Sequence, residues 1–318
     1  MKAIITGATS GLGRNMLELL QKKGWDVLAF GRNEEIAKSL GCRYEVFDLS
    51  DEEKTLMYFE EVDYVFHCAA LSSPWGEYEE FYKANVVATA NVIKAVAHYN
   101  IKKLIHVSTP SIYFAFESHL GVKEEYLPKK FVNHYAQTKY EAELLVQKSN
   151  INAVIIRPRG IFGEYDQVLV PRLEKIAQKG SLPSVKDREV VVDVTYVGNV
   201  VYAMYLAAVK DVPNKTVFNI TNDEPMALNE VLLKVMTAIG VDVKFKEIPH
   251  FVLMGIATLL ETLSKVGLIG EPVVTKYSIG VISNSQTLDI SKAKELLGYE
   301  PIYTIDEGVA KYAKYRNL

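Results

Sequence analysis

"GATSGLG", residues 7–13, follows directly on the chain's first apolar run, KAIIT at 2–6. A turn joining a strand to a helix seldom needs three glycines in seven residues. A turn that presses its main chain against a phosphate does, because each missing side chain lets an amide approach the anion. Gly7 permits the sharp turn, Gly11 lets the backbone close on the anion, and Gly13 lets the following helix pack on the sheet. Strand, glycine turn and helix in that order predict a nucleotide-phosphate cradle formed by Gly7, Thr9, Ser10, Gly11, Leu12 and Gly13.

Outward from that turn, short β-branched runs occur at 2–6, 26–30, 44–49, 64–69, 103–108, 153–158, 190–197 and 216–221. Between them lie segments of helical period such as LGRNMLELLQKK (12–23), where Leu12, Met16, Leu19 and Leu20 share one face. Near-continuous apolar strands separated by helices predict an α/β, Rossmann-type doubly wound parallel sheet covered on both faces. After Pro158 the alternation loosens, and residues 160–189 and 223–285 are irregular. Ligands of doubly wound sheets lie beyond the carboxyl ends of the strands. The two irregular segments therefore predict a smaller substrate lobe over that edge. Residues 1–159 form the dinucleotide-binding domain, to which 190–222 and part of 286–318 return.

Composition narrows the function classes. The 318 residues are 49% hydrophobic and carry a formal net charge of −3, which gives no general attraction to nucleic acid or an acidic membrane. Cys42 and Cys68 form no disulfide framework, and with six scattered histidines they form no metal-ligand pattern. Met1 leads straight into a strand-like run, leaving no room for a signal peptide. The longest apolar run, FVLMGIATLL (251–260), stops at Glu261, short of a membrane span. The expectation is a soluble, cytoplasmic protein with a small-molecule partner, no metal and no nucleic acid. Membrane docking is disfavoured, and a homodimer is left open. The stretch PHFVLMGIATLLETLSKVGL (249–268) reads either as one buried helix or as the apolar lining of a pocket.

At the end of the second strand the chain reads Gly31-Arg32-Asn33. A carboxylate there would meet the ribose 2′-hydroxyl of NAD. A guanidinium instead suits a 2′-phosphate, because Arg offers a planar fork of donors. Arg32 and Asn33 therefore point to NADP(H) in preference to NAD(H), which stays open as the alternative. Arg14, in the first helical turn, is likewise more comfortable with an anion nearby. The plain alternative is two solvated surface arginines. Asp48 and Leu49 follow the third strand, where they would meet the adenine. The small residues Ala69 and Ala70 close the fourth strand, and Pro158 stands at the end of the sixth.

Tyr135 and Lys139 in YAQTK stand one helical turn apart and so on one face. A phenol titrates near pH 10, and a nearby ammonium favours the phenolate. The pair thereby becomes a candidate proton donor and acceptor near neutral pH. Ser108-Thr109-Pro110-Ser111-Ile112-Tyr113 ends the fifth strand, on the edge that also carries the glycine turn, where a hydroxyl can hold a substrate carbonyl. Asn85 reads either as a holder of relay water or as an ordinary polar helix residue.

TGATSGLG, HCAA, VSTPSIYF, YAQTK and IRPRGIFG, in this order and spacing, resemble the extended short-chain dehydrogenase/reductase family. The resemblance runs over essentially the whole chain, through VDVTYVGNVVYA to SKAKELLGYEP. It implies NAD(P)-dependent chemistry with Tyr135 as acid/base and Lys139 as its activator and ribose-binding partner. Aligning Ile112-Tyr113 with the family's Val-Tyr makes Thr109 the catalytic hydroxyl, with Ser108 and Ser111 beside it. Ser10 departs from the family's usual Gly-x-x-Gly-x-x-Gly by standing at the middle glycine. IRPRGIFG differs from the Arg-Tyr-Phe-Asn of many nucleotide-sugar epimerases. It is similar instead to the branch of 3β-hydroxysteroid dehydrogenases and 2-alkyl-3-ketoacid or dihydroflavonol reductases. That likeness implies net interconversion of a ketone and a secondary alcohol on a small hydrophobic substrate. The competing expectations are an epimerase/dehydratase with retained NAD and a non-catalytic dinucleotide sensor. Arg157, Arg159 and Arg172 read either as contacts for an anionic substrate or as partners of Glu164, Asp166 and Glu174.

Overall fold

The computed structural model describes residues 1–9, 11–178 and 180–317. Seven parallel strands form its main sheet: β1 (Lys2–Thr6), β2 (Asp26–Gly31), β3 (Arg43–Val46), β4 (Tyr64–His67), β5 (Lys103–Val107), β6 (Ala153–Pro158) and β7 (Val217–Ile220). Their spatial order is β7-β6-β5-β4-β1-β2-β3. The chain winds outward from β1 to β3, then returns to β4 on the other flank of β1. The β1/β4 junction is therefore the point where the winding reverses, and a crevice opens there.

Successive strand side chains point to opposite faces, so the apolar runs supply two cores at once. Ile5, Phe66, Ile105 and Val154 pack on one face with Met16 and Leu20 of the first helix, Gly11–Lys22, and with Val200 and Met204 of the helix Val197–Val209. Ile4, Val65, Leu104 and Ile155 pack on the other with Val92 and Val96 of the helix Ala88–His98.

The later segments build a second layer by long-range pairing. Val191–Val192 lies antiparallel to Met226–Ala227 and parallel to Gln286–Leu288, which pairs in turn with His119–Val122. Phe245–Ile248 pairs with Leu182–Val185. Two expectations give way here. The run 190–197 is not one strand: Val191–Val192 and Thr195–Tyr196 join different sheets, and a helix begins at Val197. Between them the buried Asp193 carboxylate accepts the Leu288 amide (2.7 Å), so the chain changes partners at that residue. The stretch 249–268 is neither a buried helix nor pocket lining. In the helix His250–Lys265 only Leu253 and Ala257 are buried, while Phe251 is 77% exposed. Its apolar residues run most of the way round the helix, and only one narrow stripe of them meets the rest of the chain. Among the described residues no helix is long and apolar enough to cross a membrane.

Candidate active site

A cleft of about 1180 Å³ runs along the carboxyl edge of the main sheet and on into the second layer. At one end is the glycine turn. Gly7 has φ +71°, and a Cβ there would stand 2.9 Å from the Ala69 main chain. A Cβ on Gly13 would stand 2.3 Å from the Gly7 carbonyl oxygen. Turn, first helix and end of β4 thus meet through bare backbone, a cradle that any side chain would fill. Gly7, Thr9, Gly11, Leu12 and Gly13 line the cleft, and Ser10 lies outside the described residues. The Gly11 amide donates to the Tyr165 carbonyl (2.9 Å), and Asn15 Nδ2 donates to the Glu164 carbonyl (2.8 Å). The loop after Gly163 is thereby fastened to the start of the first helix, a contact that no local pattern in the sequence signals.

Arg32, Asn33, Asp48, Leu49, Ala69, Ala70 and Pro158 also line the cleft. Arg32 is exposed at the end of β2. Asn33 Oδ1 accepts the Ile36 amide (3.0 Å) and caps the short helix Glu34–Ala37. Burial pushes the Asp48 carboxyl up. Hydrogen bonds from Ser50 and the charges of Lys83 and Arg32 outweigh that push and hold it below the usual carboxylate range. Arg14 does not line the cleft. It lies over the Tyr165 ring, 4.5 Å from its centre, with Glu18 at 3.7 Å.

The opposite wall is carried by the helix His134–Lys148, which Asn133 caps by accepting the Ala136 amide (2.8 Å). Tyr135, Lys139 and Glu143 recur every fourth residue and so face one way. Arg157 of β6 clasps Glu143 through both Nε (3.0 Å) and Nη2, and also donates to the Tyr113 hydroxyl and the Glu124 carbonyl (2.8 Å). Arg157 and Glu143 are both buried, so this clasp fixes the helix to the sheet. Arg157 therefore belongs to the framework, not to an anionic substrate or to the partners read from sequence. Arg172 pairs with Glu271 (2.6 Å), and Glu174 pairs with Arg316 (3.0 Å).

Lys139 donates from Nζ to the Val107 carbonyl (2.6 Å) at the end of β5. Burial lowers its ammonium to about 8, with Glu143 and Cys68 acting in the other direction. Burial raises the Tyr135 phenol, while the side chains of Ser72 and Thr109 draw it back down. The spacing of the pair predicts a phenol lowered by the lysine. In the structure the lysine's charge bears instead on His67, Cys68 and His106. Thr109 Oγ1 accepts the Ser111 amide (3.1 Å) and donates to Ser111 Oγ (3.1 Å), which meets the Tyr277 hydroxyl (2.9 Å). Tyr135, Lys139 and Thr109 thus share one stretch of the cleft.

Asn85 is placed differently from the expectation of a water holder. It is 1% exposed and does not line the cleft. Its Oδ1 accepts the Leu71 amide (2.8 Å), while Nδ2 donates to the Leu71 carbonyl (3.2 Å) and to Thr138 Oγ1 (3.1 Å). With those partners it pins the loop after β4 to the Tyr135 helix. Ser72, Tyr277 and Gln286 also line the cleft and were missed in the sequence. Tyr277 is one of 19 tyrosines and lies 166 positions from its partner Ser111, so no spacing signals the contact. Among the described residues no group of three His, Cys, Asp or Glu is placed to hold a metal.

A bare-backbone turn, a Tyr/Lys pair and a hydroxyl thus line one cleft along one sheet edge. The model of the NAD dependent epimerase/dehydratase family matches residues 3–221. A 2-alkyl-3-oxoalkanoate reductase from Shewanella oneidensis is 31% identical, over 97% of this chain and 84% of its own length. A decarboxylating sterol-4-alpha-carboxylate 3-dehydrogenase from Mus musculus is 30% identical, over 98% of this chain and 89% of its own. A UDP-glucose 4-epimerase from Thermotoga maritima, solved with UDP-glucose, aligns over 100% of this chain and 99% of its own. Its TM-score is 0.79 at 22% identity, a likeness of fold. The chain belongs to the NAD dependent epimerase/dehydratase family. Within it, the chain is an NAD(P)-dependent oxidoreductase of the extended short-chain dehydrogenase/reductase type.

Proposed function

We propose that this enzyme interconverts a ketone and a secondary alcohol on a small hydrophobic substrate, with NADP(H) preferred over NAD(H). The observation that carries the reading is the grouping of Tyr135 and Thr109 in a cleft whose far side is apolar, with Leu182, Val192, Leu232 and Met236 along it. The names of the two curated relatives describe a 3-oxo acid reductase and a 3-dehydrogenase, which supports net redox chemistry over epimerisation.

The glycine cradle fits a dinucleotide. Gly7, Thr9, Gly11, Leu12 and Gly13 would hold its phosphates, Arg32 and Asn33 the ribose 2′ position, Asp48 and Leu49 the adenine, and Ala69, Ala70 and Pro158 would flank it. When bound, the cofactor supplies or accepts the hydride at the carbonyl carbon. Tyr135, kept neutral by burial, donates its proton to the carbonyl oxygen in reduction and takes it back in oxidation. Thr109 orients that oxygen, and Lys139 orients the ribose. The apolar side excludes water and orders the alkyl part of the substrate. Arg32 supports NADP(H) because an exposed guanidinium lining the cleft matches a 2′-phosphate.

The test is a screen of hydrophobic ketones and 3-oxo acids with NADPH and NADH. Consumption of reduced cofactor in step with alcohol formation is expected. Isomerised product without net cofactor oxidation would replace this reading with the epimerase one.

A further inference from the structure

Beyond the end of β6, the Arg159 amide donates to the Ile220 carbonyl (3.1 Å), and its side chain reaches the cleft. The guanidinium donates through Nη1 to the Gln286 amide oxygen, a neutral acceptor. Its Nε is buried and has no hydrogen-bond partner among the described residues. The nearest acidic influence is Asp193, whose Oδ2 accepts the Leu288 amide and which makes no ion pair with Arg159 among the described residues. Burial works against the arginine's charge more strongly than Tyr277 and Asp193 support it. A half-buried cation whose buried Nε has no acceptor is a costly arrangement unless an anion completes it.

The surroundings say which anion. Tyr277, whose phenol feels the Arg159 charge, leads toward the wall that carries Tyr135, since its hydroxyl meets Ser111 Oγ, which is bonded to Thr109. Arg159, Tyr277 and Ser111 line the same cleft as the oxygen-handling pair Tyr135 and Thr109. A substrate held at both places carries its negative charge within a few bonds of the reacting carbonyl. We propose that Arg159, Tyr277 and Gln286 form a carboxylate subsite that seats a 3-oxo acid by its acid group while Tyr135 addresses the 3-oxo oxygen. The assignment rests on the ketone reductase reading above and sharpens it. The planar fork of an arginine suits a carboxylate through paired N–H donors. Gln286 holds the guanidinium without neutralising it, where a glutamate at that position would satisfy the charge internally.

The experiment compares a 3-oxo fatty acid with its methyl ester in wild type, Arg159→Gln, Arg159→Lys and Gln286→Glu. The readout is the ratio of kcat/KM for acid over ester. Loss of a charge-assisted pair is expected to lower that ratio by roughly 10- to 100-fold in Arg159→Gln, mainly through KM, with partial recovery in Arg159→Lys. Gln286→Glu is expected to lower it too, because the new carboxylate competes for the guanidinium, and this variant serves if Arg159→Gln does not fold. A ratio unchanged by both substitutions overturns the subsite. A calorimetric titration of the unreactive 2-methyldodecanoate and its methyl ester, with cofactor present, decides the matter independently of turnover. The acid is expected to bind wild type more tightly than the ester, and Arg159→Gln to lose that preference. Equal binding of acid and ester by wild type overturns the proposal even where ketones are reduced. Selective acid binding without turnover of any ketone overturns the reductase reading and leaves the subsite standing.

Discussion

The two sides of the cleft are made in different ways. On the side of the glycine turn, strand end and helix start are separated by only a few residues, and the shape there follows from Gly7 and Gly13 lacking a Cβ. On the other side, Thr109, Arg159, Asp193, Tyr277 and Gln286 come from five separate segments, with the Ser111–Tyr277 and Arg159–Gln286 hydrogen bonds each spanning more than a hundred positions. A local device leaves a spacing in the sequence. An assembled one does not, and its residues act together only after the chain has folded. Changes on the local side should therefore have sharp, separable effects, and changes on the assembled side graded ones.

The largest expected effect is that of Tyr135→Phe, which deletes only the hydroxyl. Turnover should fall by about 10²- to 10⁴-fold, while cofactor affinity measured by titration barely moves. Near-wild-type turnover would remove Tyr135 from the chemistry. Next comes Gly13→Ala. Its Cβ would collide with the Gly7 carbonyl oxygen at 2.3 Å, so denaturant unfolding should show a loss of about 1–3 kcal/mol, as overpacked sites do. Cofactor binding should weaken with it. Equal stability would mean that the helix slides aside at little cost, and the cradle would be less rigid than its contacts imply.

Arg32→Ala should weaken NADPH binding by roughly tenfold or more and leave NADH nearly untouched, because one charge-assisted contact is lost. Equal affinity for both cofactors in wild type would break the assignment. Smaller again is the pH dependence. The phenol, raised by burial, stays protonated through neutral pH, so the first group to change is Lys139. Its charge is lost as pH rises through about 8, and the rate of reduction should decline there. Lys139→Arg, which keeps its charge, should move that falling limb upward; a limb that stays in place assigns it to another group. The sign for stability is opposite. With the folded value below the ordinary 10.5, the folded chain holds fewer protons than the unfolded one between about 8 and 10.5. This group's contribution to stability therefore grows with pH across that window. The smallest effect is expected outside the cleft, where Phe251→Ser should change stability by no more than about 0.5 kcal/mol, since the ring is 77% exposed.

Much of the main sheet was legible because each apolar run supplies residues to both faces, as Ile4 and Ile5 do, and only a doubly covered strand accepts that pattern. That the glycine turn, Tyr135, Lys139 and the segment Ser108–Ser111 line one cleft was legible because strand ends and helical spacing place them, while Thr109 in particular was singled out by the family resemblance. The run 190–197 misled because its β-branched residues satisfy strand propensity in two sheets, and propensity does not record where Asp193 turns the chain. The stretch 249–268 misleads because apolar content does not by itself entail burial. Residue type alone marks Asn85 in the sequence, and its partner is the Leu71 main chain, to which no pattern points. Tyr277 and Gln286 had no signal, since their meaning lies in what they face.

The clasp between Arg157 and Glu143 limits how this sequence can change. Removing either partner of a buried ion pair leaves an uncompensated charge, at a cost of about 3–5 kcal/mol. A folded domain has only about 5–15 kcal/mol in hand. A lineage that loses one of the two residues first therefore passes through a chain close to unfolding. The two positions lie 14 apart, on a strand and a helix, yet this cost ties a change at one to a change at the other. A designer who moves the Tyr135 helix to a new scaffold must carry both or neither.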